Sequence, residues 1–393
     1  MRFVMKRGAS SIEVKKLNRN RVFRYLNSQE RASMPDIAAA LGMSRPTVLQ
    51  IVRELKESQI VREVGEFSST GGRRAKAIAA VQDACYTVGL DITHGHISLV
   101  LTDLSEKILE HERVRELFSY SDGYFCRIGD LLEDFLERSQ APREKVIGAG
   151  ISVPGIVDRC GCLVYSHALG LDHVDGKGFS KYIPYPCIML NDANAAAVAE
   201  CSNTDLSRSV LYLLLSNSVG GAVVFHQDTP AQVSWSVQDG AFRNIYIGAE
   251  CRAGEFGHMV IHPEGETCYC GKKGCVDAYC SASRLTDLAG VDLPGFFREL
   301  ENGNVRFREV WERYLDDLAI AVDNLRMCFD GDVVLGGYVG SYMEPYIEAF
   351  RLKCAGRNIF GHGGDYVRAC KYRVEASALG AAIYRIEQYI DRI

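Results

Sequence analysis

From about residue 83 onward the chain alternates short apolar runs of strand character with helical segments, and several of the runs lead into glycine turns. Residues 86–91 (YTVGLD) and 97–103 (ISLVLTD) predict a β-hairpin, 145–153 (KVIGAGISV) and 187–191 (CIMLN) two further strands, and 193–200 a helix. Residues 210–215 (VLYLLL) run toward a glycine pair at 220–221, and residues 333–335 (VVL) toward another at 336–337. Near-continuous apolar strands must be covered on both faces, which restricts this region to the α/β class. Strands that end in glycine turns are also where such folds let their backbone approach phosphates and sugars.

The 80 residues before this region differ in charge. Residues 1–80 hold 16 Lys and Arg against 7 Asp and Glu, a net +9, which leaves 29 against 43, or −14, for the rest of a chain whose total is −5. A basic head on an acidic body implies a polyanion-binding module joined to one that handles another ligand. At 393 residues the chain is long enough for two or three domains. No apolar run reaches the roughly 18 residues of a membrane span, and MRFVMKRGAS lacks the apolar core of a secretory signal, so a cytoplasmic protein is expected.

The head reads as a helix-turn-helix. Ser33 is placed to cap a helix with Pro35 in its first turn and Asp36 three residues on; Ile37, Ala38 and Leu41 give its apolar face, and Gly42 permits a tight turn. Ser44 then caps a second helix whose apolar positions Val48, Ile51, Val52 and Leu55 fall at i, i+3, i+4 and i+7. Its other face carries Arg45, Thr47, Gln50 and Arg53, with Arg45, Thr47 and Gln50 as the candidate readers of base edges. Residues 60–64 predict a strand that turns at Gly65, a wing, and residues 68–74 (SSTGGRR) bring Arg73 and Arg74 for phosphate or minor-groove contacts. A plain amphipathic hairpin with a solvated basic face is the competing reading; cap, turn, wing and charge together favour operator DNA.

Residues 258–280 (HMVIHPEGETCYCGKKGCVDAYC) gather Cys268, Cys270, Cys275 and Cys280 with His258 and His262 in a loop punctuated by glycine. Cysteines at this spacing suit a tetrahedral metal site, and a disulfide pairing within the Cys268–Cys270–Cys275 set would leave an odd thiol.

Five segments occur in the order seen in the ROK family (repressors, open reading frames and sugar kinases): STGGRR at 69–74, VPGIVD at 153–158, NDAN at 191–194, GEFGH at 254–258 and CYCGKKGC at 268–275. The chain resembles this family from about residue 17 to 385, and its helix-turn-helix makes it similar to the repressor branch. The resemblance implies an α/β fold of two actin-like, ribonuclease H-like lobes behind a winged helix-turn-helix spanning 1–80. Residues 83–190 plus 378–393 would form one lobe, and 191–377, with the zinc-binding loop, the other. It selects His258, Cys268, Cys270 and Cys275 as ligands of one structural Zn2+ per chain, leaving His262 and Cys280 outside. It implies that His258 holds the metal through one ring nitrogen and an effector hydroxyl through the other, and that Asn191, Asp192, Glu255 and Asp277 complete the contacts to a sugar or sugar derivative. Asp277 stands where the family usually has glutamate, and Ala168 where many relatives carry asparagine.

Asp192 matches the family's catalytic base, but a repressor can keep that carboxylate as a relic. The phosphate loops differ more. Family kinases have an Asp-x-Gly-Gly-Thr turn where this chain has Asp91-Ile-Thr-His-Gly-His96, and Gly-Thr-Gly-x-Gly-Gly where it has Ser216-Asn-Ser-Val-Gly-Gly221. Each Cβ in such a loop crowds the phosphate and resists left-handed backbone angles by about 1–2 kcal/mol. The expectation is a sugar-responsive transcriptional repressor, a homodimer or homotetramer, binding no ATP and catalysing no reaction. The alternatives are a sugar kinase with an added DNA-binding domain, and a regulator governed by a protein partner over a relic cleft.

Overall fold

A computed structural model describes residues 11–68, 74–202, 207–226, 245–361 and 363–392. The head contains three helices, Ser11–Ser28, Met34–Leu41 and Arg45–Glu57, and a small sheet in which Lys76–Ala80 lies between Ala32–Ser33 and Val61–Glu66. Ser33 and Asp36 form the expected reciprocal cap: the Asp36 N–H donates to Ser33 Oγ at 3.3 Å and the Ser33 N–H to Asp36 Oδ2 at 3.2 Å. Gly42 closes that helix at φ +62°, a left-handed conformation that suits glycine. One expectation fails here. Gly65 is not the turn of the wing; the strand runs through it to Glu66, with a bulge between Glu63 and Gly65 and φ +125° at the glycine. Residues 69–73, Arg73 among them, lie outside the described residues, and Arg74 is exposed at the foot of the returning strand.

Besides a small sheet of Ile156–Val157, Leu163–Ser166 and Leu171–Val174, the body contains two larger sheets built to one plan among the described residues. In the first, Tyr86–Ile92 pairs antiparallel with His96–Asp103, which pairs antiparallel with Ile108–Arg115; on the other side Val146–Val153 and then Cys187–Asn191 add in parallel. In the second, Val210–Leu215 pairs antiparallel with Val219–Val224, which bridges to Ile245, while Asp332–Gly336 and Val367–Ala369 add in parallel on the far side. A central strand flanked by antiparallel neighbours on one side and parallel ones on the other is the ribonuclease H-like plan of actin-like lobes. The pair Gly220 and Gly221 lies inside the returning strand, and the turn is made by Ser216–Ser218.

Two helices join the lobes. Asp192–Cys201 continues from the last strand of the first sheet and packs on the second; Ala376–Arg392 packs back on the first sheet and crosses the other helix. The crossing depends on glycine. A Cβ on Gly380 would lie 1.6 Å from the Ala195 carbonyl oxygen, and one on Gly89, in the first strand, 1.7 Å from that of Ala378. Buried Glu200 ties the first of these helices to the strand and loop that lead into the second, its carboxylate accepting from the Lys371 and Tyr372 N–H groups and from Arg368.

The head does not hang from the body on a linker. Val22, Phe23, Leu26, Ile51 and Leu55 share one apolar cluster with Leu104, Ile386 and Ile390 of the body. Around it Arg24 pairs with Glu387, Asn20 with the Asp391 carboxylate, and Arg19 donates to the Asp391 carbonyl oxygen at 2.8 Å. Asn27 donates to the Leu104 carbonyl oxygen at 2.6 Å. The C-terminal helix thus touches the head at one end and the interlobe crossing at the other.

Candidate functional site

A cavity of about 430 Å³ lies between the lobes, a size suited to a small ligand. Asp91, Asp192 and Asp277 bring carboxylates to its wall. Asp192 opens the helix Asp192–Cys201, where Asn191 serves as cap: Asn191 Oδ1 accepts from the Asn194 N–H at 2.9 Å, and its amide donates to the Gly155 carbonyl oxygen at 2.9 Å and to Asp192 Oδ1 at 3.0 Å. The Asn191 amide is therefore used in orienting Asp192, and Asn191 is not among the residues that line the cavity. Burial, then the neighbouring Asp91 carboxylate and, more weakly, that of Glu255, pushes Asp192 up to about 8. Asp91, which accepts from Ser152 Oγ at 2.7 Å, is pushed up to about 6 by burial. Asp277 is buried, accepts from the Val219 N–H and is likewise raised to about 6.

Glycine–glycine contact positions the loop that carries Glu255. A Cβ on Gly254, at φ +88°, would lie 2.3 Å from the Gly221 carbonyl oxygen, and one on Gly221 would lie 2.2 Å from the Phe256 ring. Two glycines let that loop lie flat on the sheet, leaving Glu255 exposed and His258 beside the cysteine loop. Glu255 and His258 are not part of the cavity lining.

His258, Cys268, Cys270 and Cys275 each offer a ligand atom, and all four atoms lie within 4.8 Å of one another. Cys270 Sγ and Cys275 Sγ are 3.8 Å apart, as are Cys268 Sγ and His258 Nδ1. A zinc tetrahedron with bonds of about 2.3 Å to sulfur has edges of about 3.8 Å, so the donor set fits the ion. Gly271 and Gly274, at φ +87° and +78°, fold the loop back on itself, and a Cβ on Gly274 would strike the His262 carbonyl oxygen at 1.7 Å. His262 stays outside the cluster, its Nε2 2.6 Å from Asp317 Oδ1, and Cys280 is buried in the apolar core.

Two residues of this cleft have no signal in the sequence. Tyr269, between two cysteine ligands, stacks on His167 with ring centroids 4.0 Å apart and planes 8° from parallel. Its hydroxyl lies 3.3 Å from His258 Nε2.

At the other end of the cavity, the turn after Asp91 is closed on itself. The Thr93 N–H donates to the His96 carbonyl oxygen at 2.9 Å, and Thr93 Oγ1 accepts from the His96 N–H at 3.1 Å. The Ser216–Ser218 turn is bound through its carbonyl groups to the Ala282 N–H and Ser283 Oγ. Tyr338 follows Gly337 there and accepts a hydrogen bond from Arg113 of the first lobe at 3.0 Å.

On the head, Arg45, Gln50 and Arg53 are exposed on the helix Arg45–Glu57, and Thr47 is half-buried. Ser44 accepts from the Thr47 N–H at 3.3 Å as the helix cap. Arg53 pairs with Glu57 at 2.9 Å and Gln50 donates to Glu54 at 3.2 Å, so either contact must open for the side chain to reach a base. Leu49, one turn before Arg53 on the same helix, is 54% exposed. An apolar side chain in that position suits a thymine methyl group.

A winged helix-turn-helix packed on a two-lobed, actin-like body, with a Cys3His loop at the interlobe cleft, defines a DNA-binding head on a sugar-kinase-type body. Residues 87–388 match the ROK family and residues 17–62 the winged helix-turn-helix DNA-binding family; the chain belongs to the ROK family. The xylose repressor of Bacillus spizizenii is 28% identical over 276 residues, 69% of this chain and 67% of that protein. The DNA-binding transcriptional repressor Mlc of Escherichia coli is 25% identical over 288 residues, 72% and 67% of the two chains. A solved ROK family transcriptional regulator, a homolog of E. coli Mlc, shares the fold at TM-score 0.75 and 17% identity, over 96% of this chain and 98% of that one. The ROK family glucokinase of Streptomyces griseus, in complex with glucose and AMPPNP, shares it at TM-score 0.61 and 20% identity, over 76% and 98%.

Proposed function

We propose that the protein is a sugar-responsive, DNA-binding transcriptional repressor that performs no phosphoryl transfer. One observation carries the coupling this requires. The helix Ala376–Arg392 is bonded at its start to the cleft, Ser377 Oγ donating to the Asp192 carbonyl oxygen at 3.1 Å, and at its end to the first helix of the head through Arg24–Glu387 and Asn20–Asp391. A ligand that binds one arrangement of the lobes better than another shifts that helix and the head with it. The relatives named as repressors, one of them a xylose repressor, support the same reading.

In this reading Ser44, Arg45, Thr47, Gln50, Arg53, Arg73 and Arg74 serve the DNA contact, as a homodimer or homotetramer bound to operator half-sites in the cytoplasm. Asp192, Glu255, His258 and Asp277 serve the effector, with Asn191 orienting Asp192. His258, Cys268, Cys270 and Cys275 hold one structural Zn2+. When bound, the ion supplies a fixed charge that keeps its thiolates deprotonated and the His258 ring in one tautomer; the ring's Nε2 then keeps its proton and donates.

The test joins both ends. Operator sites are selected from random duplexes and binding is followed by fluorescence anisotropy, with and without each of a panel of free, phosphorylated and amino sugars. One sugar weakens operator binding, and Arg45→Ala costs about 1–3 kcal/mol of it. Equal operator affinity with every sugar that binds the cleft would remove the coupling.

The glucokinase likeness and the retained Asp192 favour a second reading, a sugar kinase with an added head. ATP-dependent consumption of a hexose, abolished by Asp192→Asn, would establish it. The self-bonded Thr93 turn supports its absence.

A further inference from the structure

His258 Nδ1 faces the cysteine sulfurs, so Nε2 is the ring's outward nitrogen, and the Tyr269 hydroxyl stands against it at 3.3 Å. Tyr269 lines the cavity and His258 does not: the phenol lies between the histidine and the ligand space. Its ring is stacked on His167 of the first lobe and lies in T-shaped contact with His258 of the second at 5.3 Å and 74°. The stack therefore spans the two lobes. Flanking cysteine ligands pin its backbone, so the side chain has to move by its own rotation and by separation from His167.

We infer that Tyr269 is a latch whose hydroxyl occupies the position a ligand hydroxyl takes on His258 Nε2, so that a ligand binds there only by displacing it and parting the His167–Tyr269 stack. A phenol offers the same donor and acceptor as a sugar hydroxyl, and exchanging one for the other leaves Nε2 satisfied at every stage. The displacement makes the cleft selective, because a ligand must present a hydroxyl able to replace the phenol's hydrogen bond. It also ties occupancy to lobe movement, because the released stack is a bond between the lobes. The inference rests on the sugar reading of the cleft given above.

The test uses the full-length, zinc-loaded protein, with zinc content measured in every variant, and calorimetric titration with D-xylose, D-glucose, N-acetylglucosamine and D-glucosamine. Tyr269→Phe keeps the stack and removes the hydroxyl; it is expected to tighten binding of a sugar roughly two- to tenfold, the worth of one hydrogen bond. His167→Ala, which leaves the metal loop intact, is expected to tighten it as well. Unchanged or weaker binding in both variants would overturn the latch while leaving the sugar reading intact. Histidine-selective 15N spectra give a readout that needs no ligand: the His258 Nε2 resonance moves in Tyr269→Phe, and an unmoved resonance overturns the contact. If no sugar binds the wild type, the latch predicts that one binds Tyr269→Ala. Silence there, with the resonance still responsive, overturns the sugar reading and with it the ligand role of Tyr269.

Discussion

The two ends of the interlobe cavity have been treated differently. At the end beside the metal loop, Asp192 and Asp277 keep their carboxylates on the wall, and Asn191 and the Val219 N–H orient them. At the end formed by the strand turns, Thr93 is bonded back to His96, Ser216–Ser218 is tied to residues 282 and 283, and Tyr338 is held by Arg113; in the proposed function these side chains stand where a phosphate would need open backbone. Hydroxyl recognition and phosphoryl transfer are separable because they need different things. The first needs placed acceptors, which tolerate change around them; the second also needs bare N–H groups in left-handed loops, which a few Cβ atoms remove.

The strongest way to test the intact end is to remove its brace. In the proposed zinc site, Cys275→Ser takes one of four ligands from a loop whose cohesion otherwise rests on a few backbone bonds. Loss of zinc, measured by elemental analysis, is expected with a destabilisation of about 3 kcal/mol or more, together with loss of sugar binding. Retained sugar affinity without zinc would detach the metal from this end altogether.

Next in size is the hinge both ends share. Gly380→Ala places a Cβ 1.6 Å from the Ala195 carbonyl oxygen, so the interlobe helices must separate. A cost of about 1–3 kcal/mol in chemical denaturation is expected. Gly123→Ala, in the helix Asp122–Arg138 with nothing within 4 Å of the added carbon, is expected to gain a few tenths to about 1 kcal/mol. Equal effects would mean that the crossing is looser than its geometry.

Much of this architecture was legible locally and the rest was not, for a physical reason. The caps at Ser33, Gly42 and Ser44 are short-range and appear in the sequence as they do in the structure. The family motifs led to the four metal-loop residues and to Asp192. The first helix, Ser11–Ser28, was missed: many of its residues are charged, and its partners Glu387 and Asp391 lie more than 360 residues away. The edge strand Ile108–Arg115 reads ILEHERVR and shows little apolar character, and among the described residues no strand pairs with its outer side. The sequence pattern of Gly220 and Gly221 is that of a turn, whereas in the fold Gly221 makes room for the Gly254–Phe256 loop, a contact between segments that no local pattern announces. The same holds for His167 and Tyr269, and for Arg113 and Tyr338. Side chains that meet across a cleft carry no periodicity.

An effect of similar size, spread over several pH units, concerns protonation at the end beside the cysteine loop. Asp192 is raised from an ordinary 3.8 to about 8 in the folded protein, so between roughly pH 4 and pH 8 the folded state holds a proton that the unfolded chain has lost. Its contribution to stability therefore falls as pH rises through that window. Asp192→Asn removes this decline, and the stability of the variant relative to wild type should improve from pH 5 to pH 8 by less than about 1.4 kcal/mol per pH unit. A difference that does not change with pH would place a charged, solvated Asp192 in the cleft.

The smallest expected effect decides what closes the other end. Arg113 is exposed; it donates to the Tyr338 hydroxyl and lies 5.2 Å from the ring centroid, a contact worth about 0.5–1 kcal/mol at an exposed site. Arg113→Ala should lower stability by no more than that and leave sugar binding unchanged. Because Thr93 and Ser216–Ser218 remain bonded as before, the variant should show no more thermal stabilisation by Mg-ATP than wild type. A gain in Mg-ATP protection would mean that the turns are competent and only a surface contact excludes the nucleotide. The two ends of the cavity would then differ by one arginine, and the kinase reading would have to be taken up again.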